Sequence, residues 1–378
     1  MDGKHDESAL LMLSSVPGIG PARIRNLIGR FQTAEAVLSA SSADIKRVEG
    51  IDERLAEALR RAPSRSWADK QREKLKAHEG RLVSYWDDDY PELLRKIYDP
   101  PVLLFIRGQV ALSAQKTLAI VGTRRPTSYG RMAAAYLAEA CVREGVVVVS
   151  GLARGIDTVA HEKTIQSGGG TIGVMGSGLD IPYPPENRGL INRMFQDGCV
   201  VSEFPMGTEP AAGHFPRRNR IIAGLCRGTV VVEAGERSGA LITAALALEQ
   251  GREVFAVPGS IKNKAARGPH RLIRDGAKLV ENIEDVFIEI PGWQTSSAET
   301  VKQRVMLTNK ERQVWAVLTQ TDSKHVDNIA GETGLNPSEC LSLLLSMELK
   351  DCVQQHNGML FTRSDCDVDD FDREMSRI

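Results

Sequence analysis

No stretch of this 378-residue chain approaches the run of ~20 apolar side chains that a spanning helix needs, and residues Met1 to Glu7 are too polar for a secretory signal. Cysteine is scarce. The six cysteines, at 141, 199, 226, 340, 352 and 366, are scattered and form no CxxC pair, so they read as buried thiols of a reducing cytosol, not as a disulfide frame or a zinc site. The seven histidines show no metal-ligand spacing. There is no GxxxxGK[ST] loop and no GxSxG elbow, and His161-Glu162 does not continue to a second histidine. No nucleophile, metal or cofactor is nominated. With 42% hydrophobic and 26% charged residues the chain is neither disordered nor low in complexity, and it has apolar material for sizeable cores. The expectation is a cytoplasmic protein without membrane partners, holding two or three domains at roughly 100–200 residues each.

A net charge of −1 gives no hint of a polyanionic partner, but the charge is unevenly spread. Between Ala114 and Val280 there are 21 Lys and Arg against 14 Asp and Glu, leaving 27 against 35 elsewhere. Arg217, Arg218, Arg220 and Arg227 fall together without an acid, and Lys262 to Lys278 holds six basic residues against Asp275 alone. Such clusters suit a phosphate-rich ligand; a solvated face is the other reading. Acid collects at the end, where Asp365, Asp367, Asp369, Asp370 and Asp372 follow closely.

In the middle of the chain, short β-branched runs alternate with helical stretches. The runs are Leu118–Val121, Val146–Val149, Thr171–Met175, Cys199–Val201, Thr229–Val232 and Val254–Val257. Strands so uniformly apolar are buried on both faces, and the helical segments between them imply parallel pairing. The expected core, residues 66–289, is an α/β Rossmann-like, doubly wound, mostly parallel sheet with ligands at the carboxyl ends of its strands. Residues 1–65 read as helices around Pro17-Gly18-Ile19-Gly20-Pro21, a helix-hairpin-helix with a weaker echo at Gly50. Its free backbone N–H groups suit a DNA phosphate, and a purely structural hairpin fits almost as well. After a linker over 290–305, residues 306–364 read as three helices and a hairpin turning at Asn357-Gly358 in a type I′ turn, a winged helix, followed by an acidic tail over 365–378. Its third helix, Ser338–Leu349, presents Glu339 and Glu348 and no base, which suits protein contact better than reading of a duplex.

Several strands run into glycine-rich turns, and these carry the chemistry. After the first, Gly122 and Thr123 permit close backbone approach while Arg124 and Arg125 supply charge. After the second lie Ser150, Gly151, Arg154 and Gly155, with Asp157 and His161 four apart on the next helix, either an acid–base pair or a surface ion pair. Gly176-Ser177-Gly178 lacks the third glycine of a dinucleotide fingerprint, so a nicotinamide site is not expected. HFPRRNRIIAGL sets Phe215 beside Arg217, Arg218, Asn219 and Arg220, joining stacking to phosphate contact. Ser238 and Gly239 open a helix whose N-terminus attracts anions.

Taken in order, VGTRRP, SGLARGIDTVAH, GSGLDIPYPPEN, FPRRNRIIAGL, EAGERSGALITA and VFAVPG resemble the DprA (Smf) family of DNA-processing proteins, over roughly Tyr90 to Val280. The resemblance implies a non-catalytic, usually dimeric protein that binds single-stranded DNA, protects incoming strands and loads the recombinase RecA in natural transformation. By the same resemblance the strand-binding pocket falls on Gly122, Thr123 and Arg124, with Phe215, Arg217, Arg218, Asn219 and Arg220 beside it. The core is also similar to the lysine-decarboxylase-like nucleotide phosphoribohydrolases. Where that family places its catalytic glutamate, however, this chain has Ile242 and Thr243.

Overall fold

Each apolar run becomes a strand because it has two buried faces to fill. In the computed structural model, which describes residues 5–293, 307–319, 322–350, 352–356 and 358–364, the chain divides into two units, 1–295 and 296–378. The first unit opens with six helices: α1 (Glu7–Ser14), α2 (Pro21–Phe31), α3 (Ala34–Ser39), α4 (Ser42–Ile45), α5 (Glu53–Arg60) and α6 (Arg65–Ala77). Then come β1 (Arg81–Ser84), α7 (Glu92–Arg95), β2 (Leu103–Gly108), β3 (Thr117–Val121), α8 (Ser128–Arg143), β4 (Val147–Ser150) and α9 (Ile156–Gln166). They are followed by β5 (Thr171–Met175), α10 (Arg188–Asp197), β6 (Cys199–Ser202), α11 (His214–Gly224), β7 (Gly228–Val231) and α12 (Gly239–Glu249). β8 (Glu253–Ala256), α13 (Arg267–Arg274), β9 (Lys278–Leu279) and α14 (Ile283–Glu289) complete it.

Among the described residues the strands form one sheet in the order β1-β2-β6-β5-β4-β3-β7-β8-β9. From β6 to β9 all pairs are parallel, while β1 and β2 add antiparallel partners at the β6 edge. The side-chain period of two divides β3 between the faces. Leu118 and Ile120 pack with residues of α8, α9 and α14, whereas Ala119 and Val121 pack with residues of α11 and α12. Helices on both faces of a parallel sheet make the core doubly wound.

The helices α1–α6 share one apolar cluster with Leu103 and Phe105 of β2, Val200 of β6, and Ile191 and Met194 of α10. Two hairpin turns recur there, with Gly18 and Gly50 both left-handed, at φ 83° and 80°. Arg23 ties the turns together by donating Nε to the Gly50 carbonyl (2.9 Å) and Nη1 to the Gly18 carbonyl (3.0 Å). The repeat is unequal: Asp52 caps α5 through the Leu55 N–H (2.8 Å), where Gly20 leaves α2 without a side-chain cap.

The second unit holds α15 (Asn309–Val317), β10 (Lys324–His325), α16 (Val326–Thr333), α17 (Pro337–Leu349), β11 (Val353–His356) and β12 (Leu360–Arg363), with sheet order β10-β12-β11. This is the expected winged helix. Its hairpin differs in one respect. His356 pairs with Leu360 and not with Met359, and both Gly358 (φ 84°) and Met359 (φ 58°) are left-handed, which a two-residue type I′ turn at Asn357-Gly358 does not give. Asn357 itself, most of the expected linker and the acidic tail lie outside the described residues. The five described cysteines are all buried, and burial pushes the Cys141 thiol up to about 12. No helix among the described residues is long and apolar enough to cross a membrane.

Candidate nucleic-acid interface

From β3 the sheet grows outward through β4, β5 and β6, and the chain then returns to place β7 on the other side of β3. Such a reversal leaves a crevice at the strand ends, where open α/β sheets bind ligands. Here it holds a groove of about 250 Å³ lined by Gly122 and Arg124 after β3, by Phe215, Arg218 and Asn219 of α11, and by Ser238, Gly239 and Thr243 at the start of α12. An adjoining lobe shares Arg124, Phe215 and Arg218 and adds Gly151, Arg154, Tyr183 and Pro184.

Phe215 is the centre of this surface. The Arg124 guanidinium lies 5.6 Å from its ring centroid and the Arg218 guanidinium 5.9 Å, while the Tyr183 ring is 5.7 Å away and tilted by 35°. Arg124 is exposed and carries no ion pair among the described residues. Arg218 is the opposite kind of arginine. It is buried, donates Nη1 to the carbonyls of Gly151 and Val174, and donates Nε to Asn219 Oδ1 (3.1 Å). A Cβ on Gly151 would stand 2.6 Å from Arg218 Nη1, so only glycine allows this approach. Burial lowers the Arg218 guanidinium to about 10 against the pull of Asp157.

Asp157 holds the neighbouring loop. Its Oδ2 accepts from the N–H groups of Gly151 (3.1 Å) and Ala153 (3.3 Å), and burial raises its carboxyl despite Arg218 and those amides. The loop is strained, with Leu152 left-handed at φ 59°, a cost of about 1 kcal/mol or more that the surrounding bonds sustain. The expected pairing of Asp157 with His161 is corrected. Neither lies on the surface, His161 Nδ1 bonds Thr171 Oγ1 (2.7 Å), and burial lowers the ring to about 3. It is a neutral core histidine.

The expected DNA-binding residues divide by direction. Gly122, Arg124, Gly151, Arg154, Phe215, Arg218, Asn219, Ser238 and Gly239 line the groove or its lobe, with Arg154 paired to Glu186. Thr123 is bonded back to the scaffold, its N–H donating to the Glu233 carbonyl (2.6 Å), and Arg125 is exposed outside the lining. Ser150 is fully buried and donates to the Ile120 carbonyl (2.6 Å). Arg217 and Arg220 point to the opposite side of α11 and meet Glu203, the former at 3.4 Å, with Asp99 a further 3.8 Å partner of Arg220. Ser150 and Arg220 are thus buried and held by protein partners outside the groove lining, whereas Arg217 stays exposed with Glu203 as its ion-pair partner.

Sequence reasoning missed Tyr183 and Glu233. Tyr183, between two prolines, offered the signal of a pinned aromatic. Glu233 offered none: 2% exposed, it accepts from Thr127 N–H (2.9 Å) and Oγ1 (2.6 Å) and from Asn263 Nδ2 (3.0 Å), binding three loops together. Among the described residues no three His, Cys, Asp or Glu side chains converge to hold a metal ion.

Comparison with known proteins turns this geometry into kinship. The family model described as DNA recombination-mediator protein A matches residues 81–291, more than half of the chain. The chain belongs to the DprA family. Models of a SAM-like helix-hairpin-helix tandem and of a DprA winged-helix domain match residues 10–62 and 299–359. The DNA processing protein DprA of Bacillus subtilis is 49% identical over 203 residues, covering 53% of this chain and 68% of that one. A putative DprA of Mycobacterium tuberculosis is 37% identical over 298 residues, covering 74% and 76%. Among solved structures, DprA of Streptococcus pneumoniae superposes with a TM-score of 0.68 at 37% identity, covering 76% of this chain and 99% of that one. DNA processing protein A of Helicobacter pylori, described for its single-stranded DNA binding mode, gives 0.51 at 30% identity, covering 55% and 94%. A DNA-processing role follows from membership.

Proposed function

We propose that this protein binds single-stranded DNA in the β3–β7 groove, protects the strand and passes it to the RecA recombinase, acting as a non-catalytic homodimer in the cytoplasm. One observation carries the reading: an exposed Arg124 guanidinium, without an ion pair among the described residues, beside the Phe215 ring at the topological switch point. A cation beside a stacking platform is what a single strand needs, since phosphates take the charge and every base has a face to stack. The α12 N-terminus adds positive potential. Apolar side chains left exposed on α12, Ile242 and Leu248, suit a second copy of the chain.

The hydrolase reading fares less well. Asp157, the carboxylate that lines the groove, is committed to two loop amides and Arg218, and Thr243 occupies the wall at the start of α12. No step of base release can be assigned to either. The test is a gel-shift series with single strand and duplex at several salt concentrations. Preference for the single strand, falling as salt rises, is expected; equal affinity for both would sink the groove reading.

A further inference from the structure

α8 begins at the rim of the groove and runs down the outside of the sheet, and its solvent face is unusual. Tyr129, Met132 and Tyr136 are 44%, 65% and 49% exposed. At spacings of three and four they lie on one stripe of the helix, about 10 Å long, and the exposed Arg143 falls on the same stripe two turns further. Arg125, just before the helix, is exposed at the groove end of the stripe. Neither arginine carries an ion pair among the described residues. Glu139, an acid on this face, is neutralised by Lys163 at 3.0 Å. Tyr129 is held in place, its hydroxyl donating to the Pro258 carbonyl (2.7 Å) while its ring stays accessible.

Single exposed apolar residues are ordinary on any surface. A row of two tyrosines and a methionine, set between arginines without ion pairs among the described residues and starting on the helix that follows the groove residue Arg124, is a different pattern. We infer that the outer face of α8 is a second stacking track, which takes the part of a single strand that emerges from the groove. The inference rests on the groove reading above and extends its footprint. Charge complementarity selects the occupant: a protein partner with an apolar face leaves Arg125 and Arg143 without counter-ions, whereas a strand offers phosphates to the arginines and bases to the rings.

The experiment compares a strand of about six thymidines, enough for a small site, with one of about twenty, using the full chain. Tyr136→Ala is expected to weaken the long strand about tenfold, the value of one lost stacking contact, Met132→Glu is expected to weaken it by setting a negative charge against the phosphates, and both should leave the short strand unchanged. Tyr136→Trp should bind the long strand as the parent does. On the unaltered protein, a long strand carrying photoreactive 5-halouracil should cross-link to residues of α8. Equal affinity of parent and variants for the long strand, parallel loss on the short one, or cross-links confined to the groove would each overturn the track. Arg124→Ala on the short strand keeps the two readings apart: if that variant binds undiminished, the groove itself fails, whatever α8 does.

Discussion

Replacing Arg124 with alanine removes one exposed cation and nothing that the fold needs, since the guanidinium has no ion-pair partner among the described residues and only a ring contact to Phe215. If it neutralises one phosphate, the slope of log affinity against log salt should flatten by about 0.7 for a single strand. Over a fourfold rise in salt, from about 50 to 200 mM, the parent should then lose about 2.6-fold more affinity than the variant. Melting temperature should not move. Arg220→Ala is the matched opposite. It strips Glu203, whose side chain is only 9% exposed, of its buried partner and leaves only Arg217 at 3.4 Å. Breaking a buried pair costs about 3 kcal/mol, and the salt slope should stay as it was. Fluorescence anisotropy with a labelled strand, read beside thermal melts of both variants, measures both quantities. An unchanged slope in Arg124→Ala, or a flattened slope in Arg220→Ala without loss of stability, would refute the division of these arginines into groove and scaffold.

Phe215→Ala should weaken single-strand binding by about 1–3 kcal/mol at every salt concentration, because it removes a stacking platform and no charge; equilibrium titration at two salt concentrations checks it. Gly151→Ala should cost about 1–3 kcal/mol of stability, seen as a lower melting temperature, since the new methyl meets the buried Arg218 Nη1 at 2.6 Å and Asp157 Oδ2 at 2.8 Å. In the winged-helix unit, burial pushes the Glu311 carboxyl up, but Lys350, the Thr308 amide and the hydroxyls of Ser346 and Thr308 outweigh it and hold the group down to about 2. A folded-state value below the ordinary 4.5 means that this contribution to stability is present above pH 4.5 and lost as pH falls toward 2. Acid unfolding of that unit, followed by NMR, should be less steep in Glu311→Gln.

Much of the core was legible because parallel strands buried on both faces have a pattern that little else produces. Thr171–Met175 matches its expected bounds, and the other five strands fall within a residue or so at each end. Strand order was not legible, since it depends on which crossover turns back. The direction of the α11 arginines was legible in principle. Phe215, Arg218 and Ile222 stand three and four apart and face the groove, whereas Arg217 and Arg220 share another side and meet Glu203. Treating HFPRRNR as one basic patch overlooked the rotation of about 100° per residue that separates neighbours on a helix. Asp157 and His161 were misjudged for another reason: four-residue spacing puts two side chains on one face but does not say whether that face is wet.

Glu233 also bears on how the protein comes to life on the ribosome. Its carboxylate joins Thr127, 106 residues earlier in the chain, to Asn263, 30 residues later. The turns after β3 and β7 can be fastened together only once both strands lie side by side, a pairing between distant parts of the sequence that forms late compared with local helices. A nascent chain that has released β3 to α11 already carries Arg124, Arg154 and Phe215, yet it has neither the α12 wall nor the carboxylate that sets the rim. If the groove binds DNA as proposed, that affinity should arise in a single step near the end of core synthesis, and an incomplete core should have little hold on a strand.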